Sequence, residues 1–258
     1  MIEKIKQIAW LAGEELMKYH GQSYDIKTKN NDPKNLMTEA DKASEKLILS
    51  ELKKSFPEVP VLSEEKEQNI DLTQDFFLVF LLDGTRQFVN KTSNFTVNIA
   101  FCKRGEPVIG VLYLPATKRM YSAEKNKGAF VNDLELSVSN FSSLDSARVI
   151  DKVAHHKSKG ADVIDSLKNK IEIDAATGLK ICLVAQGVAE VFINSSPNTS
   201  KWDLAASHII LEEAGGKITD FSGGEIDYTK PSTKITEFIA TNGNVHRDIL
   251  RLFKKISN

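Results

Sequence analysis

The stretch Phe76-Phe-Leu-Val-Phe-Leu-Leu-Asp83-Gly84-Thr85 decides the fold, because seven consecutive apolar residues end on an aspartate, a glycine and a threonine. A continuous apolar run of this length is typical of a strand that is buried on both faces. The turn after it carries free backbone N–H groups, and Gly84 lets a ligand approach them closely. The sequence therefore predicts a buried strand that leads into a turn able to hold a phosphate.

Helical periodicity surrounds this strand at both ends of the chain. Apolar side chains at intervals of three and four residues predict one helix over residues 2–19 and another over 245–256. A further helix is predicted over 39–55, with Thr38 before its first turn and Pro57 after its end. These helices indicate a mixed α and β protein.

The order of the elements changes near the middle of the chain. The apolar runs 96–102 and 107–113 predict a hairpin. After the turn-rich segment 133–146, short strands alternate with helices. We therefore expect an α+β N-terminal half, residues 1–140, joined to an α/β C-terminal half, residues 141–258. The elements predicted in the C-terminal half are strands at 148–151, 189–193, 217–219 and 238–240 and helices at 178–186 and 203–214.

Composition excludes several classes of protein. The 34 basic and 35 acidic side chains leave a net charge of −1, which excludes binding of a nucleic acid polymer by bulk charge. No apolar run reaches the roughly 18 residues of a membrane-spanning helix, so no integral membrane segment is expected. Cys102 and Cys182 lie far apart in apolar stretches, which indicates core residues in a reducing compartment. We expect a cytoplasmic protein.

Acidic side chains stand at the ends of the predicted elements, namely Asp41, Glu64 with Glu65, Asp83 and Asp203. Hard cations such as Mg²⁺ prefer oxygen ligands, and carboxylates of separate segments converge where a fold brings strand ends together. Together with the turn at Gly84, this pattern favours metal-assisted phosphoryl chemistry.

Each acidic group also has an ordinary structural explanation. These explanations are, in chain order, a helix cap at Thr38 and Asp41, a solvated corner at Glu64-Glu65, a turn at Asp83-Gly84 and an N-cap at Asp203. Taken singly, each explanation is the better one. The occurrence of all four groups in one order favours a functional site.

The four groups fall in motifs that resemble those of the inositol monophosphatase superfamily of Mg²⁺-dependent phosphatases. In this sequence the motifs read Thr38-Glu-Ala-Asp41, Leu62-Ser-Glu64-Glu65, Phe80-Leu-Leu-Asp83-Gly-Thr85 and Trp202-Asp203-Leu-Ala-Ala206. The resemblance covers essentially the whole chain and implies a layered αβαβα sugar-phosphatase fold. The segments 83–90, 95–100 and 178–185 are similar to the CysQ branch, the 3′(2′),5′-bisphosphate nucleotidases.

The resemblance implies a metal site built from three acidic side chains and one backbone oxygen. The carboxylates are those of Glu64, Asp83 and Asp203, and the backbone oxygen is the carbonyl of Leu82. The implied cofactor is Mg²⁺, and the implied substrate is a small phosphorylated metabolite, most readily a nucleotide. Relatives often form homodimers, so the resemblance also implies that assembly.

The resemblance further implies how the reacting groups are held. Thr85, oriented by Asp41 and acting with Glu64, would position and deprotonate the attacking water. The backbone amides of Gly84 and Thr85 would hold the phosphate. No covalent nucleophile is needed, because metal ions activate water and neutralise phosphate charge.

One residue departs from the family's motif. Phe80 stands where the family carries an aspartate that bridges two metal ions. Phenylalanine supplies no oxygen, and even changes around a metal's ligands cost roughly 10- to 100-fold in affinity or activity. Either the ring of Phe80 simply extends the apolar strand, or it fills the space of the missing ligand.

The sequence thus predicts a Mg²⁺-dependent phosphomonoesterase, weakened by Phe80, that hydrolyses adenosine 3′,5′-bisphosphate to AMP and phosphate by metal-activated water. One alternative is a phosphatase of the inositol monophosphatase type. Another is a catalytically silent family member that binds a phosphorylated ligand or a partner protein. The retained acidic residues favour an enzyme, and Phe80 favours the silent protein.

Overall fold

The computed structural model describes residues 1–22, 26–28, 36–64, 70–151 and 158–256, and of residues 26–28 and 36–38 it gives the backbone alone. The helices of these residues are α1 (Ile2–Met17), α2 (Glu39–Ser55), α3 (Thr85–Val89), α4 (Lys159–Ser166), α5 (Thr177–Ala185), α6 (Lys201–Glu213) and α7 (His246–Ile256). The strands are β1 (Ile26–Thr28), β2 (Leu36–Thr38), β3 (Val61–Ser63), β4 (Phe76–Asp83), β5 (Thr96–Lys103), β6 (Glu106–Leu114), β7 (Arg119–Glu124), β8 (Ala129–Val131), β9 (Leu134–Glu135), β10 (Arg148–Asp151), β11 (Asn169–Glu172), β12 (Val191–Asn194), β13 (Lys217–Thr219) and β14 (Phe238–Thr241).

Most of the predicted elements are confirmed, with small shifts at their ends. The helix predicted over 2–19 ends at Met17, and the helix predicted over 203–214 begins earlier, at Lys201. Strand β4 is buried along its whole length, as its continuous apolar run predicts. Helix α4 was not predicted, because its eight residues are too few for a clear helical period.

The first two layers are a helix pair and a large sheet. Helices α1 and α2 pack on one face of a seven-stranded sheet of order β3-β4-β5-β6-β7-β8-β9. Strands β3 and β4 are parallel, and every other neighbouring pair of this sheet is antiparallel. The apolar stripe of α1, which includes Ile5, Ile8 and Leu16, is buried in a cluster with side chains of that sheet.

A second helix pair lies between this sheet and another one. Helices α5 and α6 pack against each other, α6 contacts β4, β5, β6 and β7, and α5 contacts β12 and β14. The approach of α6 to β6 requires a glycine. A Cβ atom on Gly110 would lie 2.2 Å from the carbonyl oxygen of Ala206. One hydrophobic cluster therefore runs continuously from the N-terminal to the C-terminal part of the chain.

The last two layers are a second sheet and a helix pair on its outer face. The second sheet has the order β11-β10-β12-β14-β13, and α4 and α7 cover its outer face through a separate cluster that includes Val163, Ile249 and Phe253. The predicted αβαβα layering is confirmed. The last strand of the first sheet ends at residue 135, and the first strand of the second sheet begins at residue 148. The border between two halves at residue 140 stays a prediction.

Two further expectations concern the environment of the chain. Cys102 and Cys182 are both free and buried, in agreement with their assignment as core residues. Among the helices that the structure describes, none combines the length and the hydropathy that a membrane crossing requires.

Candidate active site

An extra residue in β4 points Asp83 into the molecule. Phe80 pairs with Asn98 of β5, whereas Asp83 pairs with Thr96, so three residue steps on β4 face two on β5. Leu81 and Leu82 therefore both pack on the side of α1 and α2. The bulge turns the Asp83 side chain to the other face, the one that Phe80 shares and that α5 covers. Bulges commonly re-aim a side chain next to an active site.

Asp83 is buried and accepts hydrogen bonds from two segments. Its Oδ2 atom accepts from Asn98 Nδ2 at 3.2 Å and from the backbone N–H of Gly178 at 3.1 Å. Burial raises the pKa of the Asp83 carboxyl to about 6, and the hydrogen bonds and the charge of Lys180 oppose that rise. The N–H of Gly178 belongs to the first turn of α5, where a carboxylate is favoured by the helix dipole.

Asp203 is the second carboxylate of the site, and it is half-buried. It is the third residue of α6, and its Oδ2 atom accepts from the backbone N–H of Ser200 at 2.9 Å. The structural explanation of Asp203 as a cap is therefore correct in part, although Ser200 is the N-cap. Burial first, and then the charges of Asp83 and Glu64, raise the pKa of Asp203. Asp83 and Glu64 therefore each lie within electrostatic reach of Asp203.

Two further predicted acids, Glu64 and Asp41, come from the N-terminal part of the chain. Glu64 follows β3 directly and is half-buried, and Glu65 lies outside the described residues. Asp41 is buried in the first turn of α2. The next turn of α2 is tied to β4, because Ser44 Oγ donates to the carbonyl of Leu81 at 3.3 Å. Both acids thus belong to elements that adjoin β4.

The turn after Asp83 has the conformation that a glycine allows. Gly84 has a φ of +87°, and a Cβ atom there would lie 3.2 Å from the carbonyl oxygen of Asn94. The hydroxyl of Thr85 donates to the carbonyl oxygen of Leu82 at 3.3 Å. Thr85 and the Leu82 carbonyl, two predicted site groups, are therefore in contact.

A clamp joins the segment after this turn to the segment that leads into α5. Gln87 Nε2 donates to Asp174 Oδ1 at 2.5 Å, and Asn94 Nδ2 donates to the backbone carbonyl of Asp174 at 2.9 Å. In return, the N–H of Ala176 donates to the Asn94 carbonyl at 3.1 Å. These bonds hold the two parts of the chain together beside Asp83.

Two polar residues of the site escaped the sequence prediction. Asn98 touches Asp83 directly, and Lys180 is a buried lysine whose Nζ lies 5.8 Å from the centre of the Phe192 ring. Each stands alone in an apolar stretch, Phe95-Thr-Val-Asn98-Ile-Ala-Phe and Leu179-Lys180-Ile-Cys-Leu-Val. A lone buried amide or ammonium in such a stretch is a signal that could have found them, because it needs a polar partner.

The donors at this site suit a hard cation. Carboxylate and carbonyl oxygens are the ligands that Mg²⁺ prefers, and the mutual repulsion of Asp83 and Asp203 is relieved by a positive charge between them. Across the described part of the chain, no three His, Cys, Asp or Glu side chains are grouped closely enough to hold a metal ion. Mg²⁺ commonly uses one or two carboxylates and completes its shell with water and substrate phosphate, which this donor set allows.

Comparison with known proteins identifies the family of this chain. A profile of the inositol monophosphatase family matches residues 1–257. The chain belongs to the inositol monophosphatase family. The 3′(2′),5′-bisphosphate nucleotidase CysQ of Salmonella typhimurium is 33% identical to it over 235 residues, which cover 89% of this chain and 94% of that protein. CysQ of Escherichia coli K12 is 34% identical over 238 residues, with the same coverage of 89% and 94%.

A solved structure extends the likeness to three dimensions. An IMPase of Thermotoga maritima matches with a TM-score of 0.84 at 26% identity, and the match covers 98% of this chain and 96% of that one. The resemblance and the fold predicted from the motifs are therefore confirmed. The chain is a metal-dependent phosphatase, and the substrates of such enzymes are small phosphorylated molecules.

Proposed function

We propose that this phosphatase is a Mg²⁺-dependent 3′(2′),5′-bisphosphate nucleotidase that converts adenosine 3′,5′-bisphosphate to AMP and phosphate. The observation that carries the proposal is the pair of a buried Asp83 and a half-buried Asp203, with Glu64 in electrostatic reach of Asp203, beside the Gly84-Thr85 turn. The similarity to two CysQ proteins supports the choice of substrate.

The proposed metal ligands are the carboxylates of Asp83 and Asp203 and the carbonyl oxygen of Leu82. Glu64 is proposed as the third carboxylate, although in the described structure it does not form a close group of three with the other two. When bound, Mg²⁺ lowers the pKa of water and neutralises phosphate charge. The chain supplies the geometry: β4 brings Asp83 and Leu82, and the first turn of α6 brings Asp203.

The proton steps are assigned to residues beside the turn. The Thr85 hydroxyl, which contacts the Leu82 carbonyl, orients the attacking water, and Glu64 takes its proton. Asp41 holds Thr85 in place. As the water oxygen bonds to phosphorus, the bond from phosphorus to the 3′ oxygen breaks, and that oxygen leaves with a proton from solvent. The amides of Gly84 and Thr85 hold the phosphate oxygens.

A comparison of two substrates tests the proposal. Phosphate release is measured with adenosine 3′,5′-bisphosphate and with inositol 1-phosphate, each with Mg²⁺ and with a chelator. We expect Mg²⁺-dependent release that is faster from the nucleotide, and we expect Asp203→Asn to abolish it. Faster release from inositol 1-phosphate would instead establish the inositol monophosphatase type, which the Thermotoga maritima neighbour favours by its name.

The third hypothesis, a catalytically silent family member, has Phe80 in its favour. Its ring is buried on the same face of β4 as Asp83, within the cluster that α5 and α6 cover. Absence of turnover with both substrates at saturating Mg²⁺, in the natural chain and in Phe80→Asp, would establish it. The cytoplasmic location and the homodimer stay predictions.

A further inference from the structure

The rotation of the Asp83 carboxylate is set by neighbouring hydrogen-bond donors. The terminal torsion of an aspartate is broad, so rotamer preference alone does not decide where its two oxygens point. In this protein Oδ2 accepts from Asn98 on β5 and from the Gly178 N–H on α5. Two donors from different elements therefore fix one oxygen, and with it the plane of the group.

The amide of Asn98 is itself oriented by a neighbour. Thr96 Oγ1 donates to Asn98 Oδ1 at 2.8 Å, and both side chains are buried. A hydroxyl that donates to the amide oxygen leaves the amide NH₂ group facing Asp83. A flipped amide would set its oxygen against the Asp83 carboxylate and lose the bond to it. The order Thr96, Asn98, Asp83 is thus a directed relay of hydrogen bonds.

The register of the sheet builds this relay. Because of the bulge in β4, Asp83 stands opposite Thr96 and next to Asn98, two residues further along β5. If β4 alternated regularly from Phe80 through these three steps, with no bulge, Asp83 would lie on the face covered by α1 and α2, away from both side chains.

The backbone of Asp203 and the side chain of Asn98 both lie close to Gly178. A Cβ atom on Gly178 would lie 3.1 Å from Asn98 Nδ2 and 3.3 Å from the Asp203 backbone carbonyl. The absence of a side chain there lets β5, α5 and α6 approach one another closely. The donors of Asp83 and the first turn of α6 are consequently parts of one packed unit.

We propose that Asn98, held by Thr96, is a positioning residue that fixes the rotation of the Asp83 carboxylate and so the direction in which it offers oxygen to the metal. The inference rests on the proposed function, because it assigns Asp83 to the metal. Asn98 itself acts through Asp83 and touches neither metal nor substrate in this scheme.

Binding of Mn²⁺, followed by the loss of its free electron paramagnetic resonance signal, tests the proposal without turnover. Asn98→Leu should weaken Mn²⁺ binding roughly 10- to 100-fold, the usual effect of losing a group that orients a metal ligand. Thr96→Val should weaken it by a smaller factor, because the Asn98 amide remains but loses its orientation. Thr96→Ser retains the hydroxyl donor and should bind as the natural chain does.

Asn242→Leu is the matched control. Asn242 is a buried asparagine whose Nδ2 donates to the carbonyls of Ser139 and Phe141, so its loss lowers stability without touching Asp83. We expect its Mn²⁺ affinity to remain that of the natural chain. If Asn98→Leu fails to fold, the contrast between Thr96→Val and Thr96→Ser decides the question.

The outcomes separate this inference from the proposed function. Unchanged Mn²⁺ affinity in Asn98→Leu and Thr96→Val, with hydrolysis of adenosine 3′,5′-bisphosphate intact in the natural chain, overturns the positioning role alone. An equal loss of affinity in Asn242→Leu also overturns it, because general destabilisation would then explain the effect. No Mn²⁺ binding and no hydrolysis in the natural chain would overturn both.

Discussion

At the scale of single residues, Phe80 is the side chain that we expect to limit how strongly the site binds a cation. Its side chain lies on the face of β4 that carries Asp83, and it belongs to the buried hydrophobic cluster there. This position agrees with both explanations that the sequence offers for Phe80, because the ring extends the apolar strand and also lies on the face of β4 that carries Asp83. A side chain with an oxygen atom at this position would add a metal ligand on the face that carries Asp83.

We predict that Phe80→Asp raises both Mg²⁺ affinity and phosphate release from adenosine 3′,5′-bisphosphate. The added carboxylate supplies an oxygen ligand, and its burial makes the protein less stable when Mg²⁺ is removed. Thermal unfolding with Mg²⁺ and with chelator, together with the hydrolysis assay, measures both effects. Phe80→Leu is the control, because it removes the ring without adding oxygen. Equal gains in the two variants would mean that relief of crowding, not metal binding, is responsible.

His246 is a buried histidine whose ring nitrogens both tie it to threonine hydroxyls. It is the first residue of α7 and contacts the last residues of β13 and β14, with Nε2 2.9 Å from Thr219 Oγ1 and Nδ1 2.9 Å from Thr241 Oγ1. The Thr219 hydroxyl donates to the Asp220 carbonyl, so it accepts from Nε2–H, and Nδ1 accepts from Thr241. Burial, with a smaller effect of the Lys217 charge, lowers the pKa of His246 to about 4.

We predict that this histidine destabilises the fold as the pH falls. Between about pH 6.5 and pH 4 the unfolded chain binds a proton that the folded chain does not, so stability present above that range is lost within it. The shift corresponds to about 3 kcal/mol. Denaturant titrations at pH 7.5 and pH 4.5 should show a smaller loss in His246→Gln than in the natural chain. An equal loss in the two proteins would show that His246 is not responsible.

At the scale of elements, the contact between α6 and β6 sets where Asp203 lies. Helix α6 carries Asp203 in its first turn and packs on β6 at Gly110, with no room for a side chain. The position of one site residue is therefore determined by a packing contact elsewhere on the same helix.

We predict that Gly110→Ala lowers the free energy of unfolding by about 1–3 kcal/mol, the usual cost of overpacking. The Cβ atom would meet backbone, which cannot move aside as a flexible side chain can. Chemical denaturation measures the loss, and Mn²⁺ titration should show weaker binding because α6 is displaced. Unchanged stability would mean that the two elements separate easily and do not fix Asp203.

Elements that follow a local pattern can be predicted from the sequence, whereas contacts that depend on strand register cannot. The run Phe76–Leu82 and the stripe of α1 are local patterns, and β4 and α1 follow them closely. The bulge that turns Asp83 inward depends on the register between β4 and β5, which no local pattern encodes. Asn98 and Lys180 stand out locally as polar residues in apolar stretches, but no local pattern identifies Asp83 as the group on which both act.

At the scale of the whole molecule, the candidate site lies where the two sheets' helices and strands meet. Asp83 comes from the seven-stranded sheet, Asp203 and Gly178 come from the central helix pair, and the Gln87–Asp174 clamp ties the two parts. The motifs predict which acids form the site, and in the structure the charges of Asp83 and Glu64 act on Asp203. Their distances depend on the packing of α5 and α6 against β4 and β5, which the sequence alone does not give.

The central claim is that Asp83 and Asp203, with the Leu82 carbonyl and Glu64, hold a divalent cation beside Thr85. An anomalous difference map from crystals of the protein grown with Mn²⁺ tests it most directly. The account predicts a peak between the Asp83 and Asp203 carboxylates that is absent in Asp203→Asn. A map with no peak there, or with its peak at other residues while phosphate release continues, would contradict it.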